Sequence, residues 1–117
     1  GTRILLDYRI GQLGIEPSAI RGYDAEEITH MSVAVAVASG SADAGLGIYA
    51  AAKALGLDFI PVVTEKYDLV IPAEHVASEF IQTLLDIIVS AEFKRRVESL
   101  GGYHTHSTGE TIDIGAA

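Results

Sequence analysis

Apolar residues recur at three- and four-residue spacing near the start of the chain, at Leu5, Leu6, Ile10 and Leu13. That period predicts an amphipathic helix, with Thr2 placed to cap its start and Gly14 to close it from just beyond the end. Pro17 and Gly22 bound a loop, with a short extended piece at residues 21–24. A second helix has two starts open to it. Asp24 with Glu27 reads as a capping box, and Thr29 can cap a helix that begins at His30. Either helix runs through Val33, Val37 and Ala38 and stops near Gly40, slim enough in Ala and Val to be buried on more than one side. Residues 42–47 are small and apolar and suggest a buried strand. A helical turn or two follows at 48–55, closed by Gly56. Residues 57–64 and 67–71 are β-rich runs split by Glu65-Lys66. Pro72 sits at or beside the first position of a long helix carrying Val76, Phe80, Leu84, Ile87 and Ile88. Ser90 caps a further segment with Phe93, Val97 and Leu100, ended by Gly101-Gly102, and the polar tail frays after Gly109. Strands alternating with helices predict an α/β fold with parallel pairs and helices on the sheet faces.

Composition narrows the classes. The chain has 117 residues, of which 49% are hydrophobic, enough for a packed core and far too apolar for disorder. It has no cysteine, so no disulfide framework, thiolate metal site or thiol nucleophile is available. The formal charge of −8 argues against a nucleic-acid partner. Its apolar runs, such as residues 31–38, are too short to span a bilayer, and no basic segment followed by an apolar one marks a signal peptide. These features predict a cytoplasmic protein without a membrane partner.

Candidate chemistry clusters at helix starts. In Gly1-Thr2-Arg3, free backbone N–H groups, a hydroxyl and a guanidinium can converge on an anion. An ordinary cap with a solvated Arg is the plainer alternative. Thr29-His30 offers a second set of amides, a hydroxyl and an imidazole, or again a cap and a surface histidine. The run from Ser39 to Gly47 turns a helix end into very small residues around Ser41 and Asp43, either a ligand floor and hinge or tight helix–strand packing. Gly45-x-Gly47-x-x-Ala50, with Glu65 further on, matches a dinucleotide fingerprint in letters, but it follows a helix and lies deep in the chain. His104-x-His106, with Glu110 nearby, has metal-ligand spacing without a third fixed ligand, so no metal site is assigned. Nucleophile elbows, His-Glu-x-x-His and Walker loops are lacking, and Glu26-Glu27 and Arg95-Arg96 read as solvated faces.

The order of these pieces is more specific than any one of them. Gly1-Thr2-Arg3-Ile4-Leu5-Leu6-Asp7, Gly22-Tyr23, Glu27-x-Thr29-His30 and Ala36-Val37-Ala38-Ser39-Gly40-x-Ala42-Asp43-x-Gly45-Leu46-Gly47 occur in sequence. They are followed by Gly56-Leu57-Asp58-Phe59-Ile60-Pro61 and Glu65-x-Tyr67-Asp68-Leu69-Val70-Ile71-Pro72. Together they resemble the periplasmic-binding-protein-like (type II) domain of molybdate- and molybdopterin-associated proteins. Such domains are fused to molybdenum-insertion-type molybdopterin biosynthesis proteins or to DNA-binding regulators. The resemblance implies a three-layer, largely parallel sheet, here one lobe plus the returning strand and C-terminal helices. It covers roughly residues 1–108, and the domain is placed at 1–109, a piece lacking the first lobe, with 110–117 as a flexible tail. It also implies a small oxyanion (molybdate or tungstate) or a molybdopterin-type pterin as ligand, held by Thr2, Arg3, Thr29 and His30, with Ser41 and Asp43 as weaker candidates. No catalysis and no cofactor are expected within these residues. A homo-oligomer through the unpaired lobe surface is a further expectation. The alternatives are a regulatory or oligomerisation module and, from the Gly45 fingerprint, a nucleotide-dependent enzyme.

Overall fold

The computed structural model describes residues 1–114. The chain divides into two compact units, Gly1–Phe59 and a second beginning at Ile60. The first unit holds α1 (Thr2–Gln12), a 3-10 turn (Pro17–Ala19), α2 (His30–Ala38) and α3 (Tyr49–Ala54). The second holds α4 (Ala73–Val76), α5 (Glu79–Ile88) and α6 (Ala91–Leu100).

The expected three-layer parallel sheet is not there. Among the described residues no segment forms a strand, and the architecture is helical. β-Branched composition favours a strand only where a neighbour about 4.8 Å away takes up the backbone N–H and C=O groups. The runs at 42–47, 57–64 and 67–71 make no such ladder with one another. The first is used differently, because the Ala42 amide donates to the carbonyl of Ala36 at 3.0 Å and so finishes α2. In the second unit, Ile60 and Val70 keep 84% and 82% of their surface, which leaves the apolar face of that run uncovered.

The helices follow the local chemistry closely. α1 begins one residue earlier than expected, with Gly1 rather than Thr2 as its N-cap and no side chain closing the first turn. Leu13 caps its other end, and Gly14 turns the chain there at φ 67°. Of the two starts open to α2, the one at Thr29 forms: its Oγ1 accepts the Ser32 amide at 3.0 Å. The long helix expected after Pro72 is two helices. Ser78 interrupts it by accepting the Ile81 amide on its hydroxyl, which starts α5 afresh. Ser90 does the same for α6, accepting from Phe93 at 3.2 Å.

In the first unit the buried apolar residues are Ile10, Ala34, Ala51 and Ala52. The last three belong to α2 and α3, which pack against each other, and small side chains let those helices come close. In the second unit α5 packs between α4 and α6. Thr105 is buried there and donates its hydroxyl to Glu98 Oε1 at 2.5 Å, tying the segment after α6 back to that helix.

Candidate functional site

The polar chemistry of the first unit gathers in two places. The first is built on the opening turn of α1. Arg3 and Asp7 are four residues apart and share a face, with Arg3 Nη1 3.9 Å from Asp7 Oδ1. Arg3 does not reach outward. Its Nε donates to Glu26 Oε1 at 2.9 Å and its Nη2 to the Tyr23 carbonyl at 2.6 Å. The guanidinium carbon lies 4.6 Å from the centre of the Tyr23 ring, a cation–π arrangement. Tyr23 in turn donates its hydroxyl to Asp7 Oδ1. Nη1 is shut off from solvent and makes no hydrogen bond.

This network sets the protonation of its members. Desolvation disfavours the charge on Arg3, but hydrogen bonding to Tyr23 and the charge and hydrogen bond of Glu26 outweigh it, and the group is raised above its ordinary value. Like any arginine, Arg3 is a permanent cation. The Tyr23 phenol is raised first by its hydrogen bond to Asp7 and then by desolvation, against the opposing pull of Arg3.

The second place is the outer face of α2. Thr29 Oγ1 accepts the Ser32 amide and lies 2.8 Å from Ser32 Oγ. At the other end of the helix the Ala36 carbonyl accepts from Ser39 Oγ at 3.2 Å and from Ser41 Oγ at 3.0 Å. Thr29, Ser32, Ser39 and Ser41 thus line one shallow hollow of about 420 Å³. Several hydroxyls on one face can donate to an oxyanion, although each here already serves a helix end. His30 lies inside the first turn of α2, facing the backbone of Gly47. Asp43 is exposed in the following loop.

Of the six residues expected to meet a ligand, Thr29 and Ser41 share this hollow. Arg3 belongs to the α1 cluster, and Thr2 is the first residue of that helix, without a contact to the cluster among those described. Among the described residues no hydrogen bond or ion pair joins the two groups. Sequence reasoning missed Tyr23, Glu26 and Asp7. Only the four-residue spacing of Arg3 and Asp7 signals any of that contact in advance, and in the sequence Glu26 reads as part of a solvated face. Arg96 of the matching basic pair does lie on an exposed face, 3.3 Å from Glu92.

Other motifs resolve without a site. No strand precedes Gly45, and the space a Cβ would need there is taken by Val33, so the dinucleotide fingerprint lacks its strand–turn–helix setting. The rings of His104 and His106 lie 6.5 Å apart, and among the described residues no three His, Cys, Asp or Glu side chains group around a metal position. No helix of the described residues is long and apolar enough to cross a membrane.

Comparison with known proteins adds a family. Residues 1–89 match the PBP superfamily domain. A protein of Clostridium pasteurianum, described as an uncharacterized protein in the ferredoxin 2Fe-2S gene 5′ region, is 43% identical over 93% of this chain and 97% of its own length. The uncharacterized protein YvgK of Bacillus subtilis (strain 168) is 37% identical over 96% of this chain, which spans 36% of that longer protein. No solved structure matches.

Proposed function

The chain belongs to the PBP superfamily, and from that premise we propose that it is a non-catalytic binding domain for a small anion. A molybdate- or tungstate-type oxyanion, or a molybdopterin-type pterin, is its leading ligand. One observation carries the reading: a permanently charged guanidinium sits in the first turn of α1, a helix start that no side chain closes. The orphan amides and the positive end of the helix dipole favour an anion, and Arg3 adds a full charge, with Glu26 and the Tyr23 carbonyl on its Nε and Nη2. The hydroxyls of Thr29 and Ser41, with the His30 ring and Asp43, are the secondary set and discriminate among ligands. The net charge of −8 does not oppose this, because recognition of a small anion is a matter of local field. Molybdopterin biosynthesis or a molybdate response is the setting proposed for a parent protein, in the cytoplasm.

Calorimetric titration with molybdate, tungstate, sulfate and phosphate, on this chain and on the longer B. subtilis relative, tests the proposal. Arg3→Ala removes a charge-assisted hydrogen bond worth about 1.5–3 kcal/mol and should weaken binding roughly 10- to 150-fold. Failure of both proteins to bind any of the four anions would reject the oxyanion and leave the pterin to be tested.

A second reading, a regulatory or assembly module, is favoured by the uncovered side chains of Ile60 and Val70. It predicts a mass that rises with concentration in sedimentation and is indifferent to Arg3→Ala.

A further inference from the structure

We propose that Glu26 is the resident counter-ion of Arg3, an internal competitor that any incoming anion must displace and that thereby sets the affinity of the site; this rests on the anion-binding reading above. The geometry supplies the reason. Of the guanidinium's three nitrogens, Nε is held by the Glu26 carboxylate at 2.9 Å and Nη2 by the Tyr23 carbonyl at 2.6 Å. The third, Nη1, is closed off from solvent beside Asp7. One face of the group is covered by the Tyr23 ring. Of the five N–H donors two are taken by oxygen and those of Nη1 do not face solvent, so an external anion meets at most the second N–H of Nη2 unless one partner leaves.

Glu26 is the partner suited to leave. Its carboxylate is itself an oxyanion, so an incoming oxyanion replaces it bond for bond at Nε. Its side chain keeps 65% of its surface, so water receives it readily once it is released. The Tyr23 carbonyl is main chain, and Asp7 is retained by the Tyr23 hydroxyl. Exchange at Glu26 removes one contact between its loop and α1, while Tyr23 keeps the others through its carbonyl, hydroxyl and ring.

The test is the affinity for molybdate and for sulfate of the full chain, Glu26→Gln and Glu16→Gln, at 0.15 M ionic strength. The last variant removes the same charge from an exposed residue whose side chain caps nothing. An exposed ion pair limits the gain to about fivefold, so Glu26→Gln should bind severalfold more tightly, while Glu16→Gln changes less. Amide hydrogen exchange at residues 24–26, past the Tyr23 anchor, should rise in Glu26→Gln without ligand and, in the unmodified chain, on adding molybdate. Equal or weaker binding by Glu26→Gln, with the unmodified chain still binding, overturns the competitor role and leaves the anion-binding reading intact. An equal gain in both variants also overturns it, as an effect of net charge alone. Absence of binding in all three chains rejects the anion-binding reading, and the competitor role with it.

Discussion

Gly45 and Gly11 should respond to the same substitution with opposite signs. A Cβ built on Gly45 would lie 2.4 Å from Val33 Cγ1, with Val37 Cγ2 at 3.6 Å. Carbon atoms rest at about 3.5–4.0 Å, so the first contact is short by about 1 Å or more. Val33 is a β-branched residue inside α2, where one χ1 rotamer dominates, and it cannot swing aside as a long side chain could. Overpacking of this kind costs about 1–3 kcal/mol. Against it stands the gain from a stiffer unfolded chain, about 0.4–1 kcal/mol, available because Gly45 does not adopt a positive φ. The balance for Gly45→Ala is a loss of up to about 2.6 kcal/mol, centred at about 1.3 kcal/mol. At Gly11, inside α1, an added Cβ meets nothing within 4 Å. Helix propensity should there yield a gain of about 0.5–1 kcal/mol.

Urea unfolding followed by far-ultraviolet circular dichroism measures both effects, and a double-mutant cycle locates the cause. Val33→Ala removes the opposing methyl groups, so it should recover part of the loss in the Gly45→Ala background, with a coupling of at least about 0.5 kcal/mol. Gly45→Ala at or above the stability of the unmodified chain would refute the reasoning. So would a cycle with no coupling to Val33. Of the two uses open to this small-residue run, hinge or close packing, the cycle tests the packing of Gly45 against α2.

Two further outcomes test the polar contacts. The raised Tyr23 phenol contributes stability that is complete below about pH 10 and lost as pH climbs through its folded value. Titration of phenolate absorbance should show one tyrosine ionising late, absent in Tyr23→Phe and shifted down in Asp7→Ala; ordinary ionisation of every tyrosine would count against the network. Thr105→Val strips the buried donor to Glu98 and should cost about 1–2 kcal/mol in chemical denaturation, and an unchanged midpoint would show that the contact stabilises nothing.

The helices were legible because their signals are local. Thr29 and Ser90 close a helix start by a hydrogen bond three residues along the chain, and Gly14 and Gly56 act at the turns they form. The same signals did not resolve competition between neighbours. Thr2 was assigned the cap that Gly1 holds, and Ser78, inside an apolar period, was passed over although it splits the run into α4 and α5. The sheet was misjudged for a different reason. Val and Ile at 60–71 carry a propensity that only a paired neighbour converts into a strand, and a one-dimensional pattern cannot name the neighbour. Small residues at 42–47 suit a close strand and a close helix end equally well, and the Ala36 carbonyl decided between them.

The candidate site divides along the same line. Arg3 could be singled out from its place at a helix start, because dipole and orphan amides are properties of the local chain. What Arg3 touches depends on a loop twenty to twenty-three residues away, whose carboxylate, ring and carbonyl arrive by tertiary folding. Residue identity therefore announced the cation and left its partners unspecified. That gap changes the chemistry. A solvated guanidinium would bind anions weakly and without selection, whereas one stacked on Tyr23 and already engaged by a carboxylate has a fixed orientation and a built-in rival. Affinity at such a site is a difference between two anions competing for one cation, so the residue that controls it need never touch the ligand.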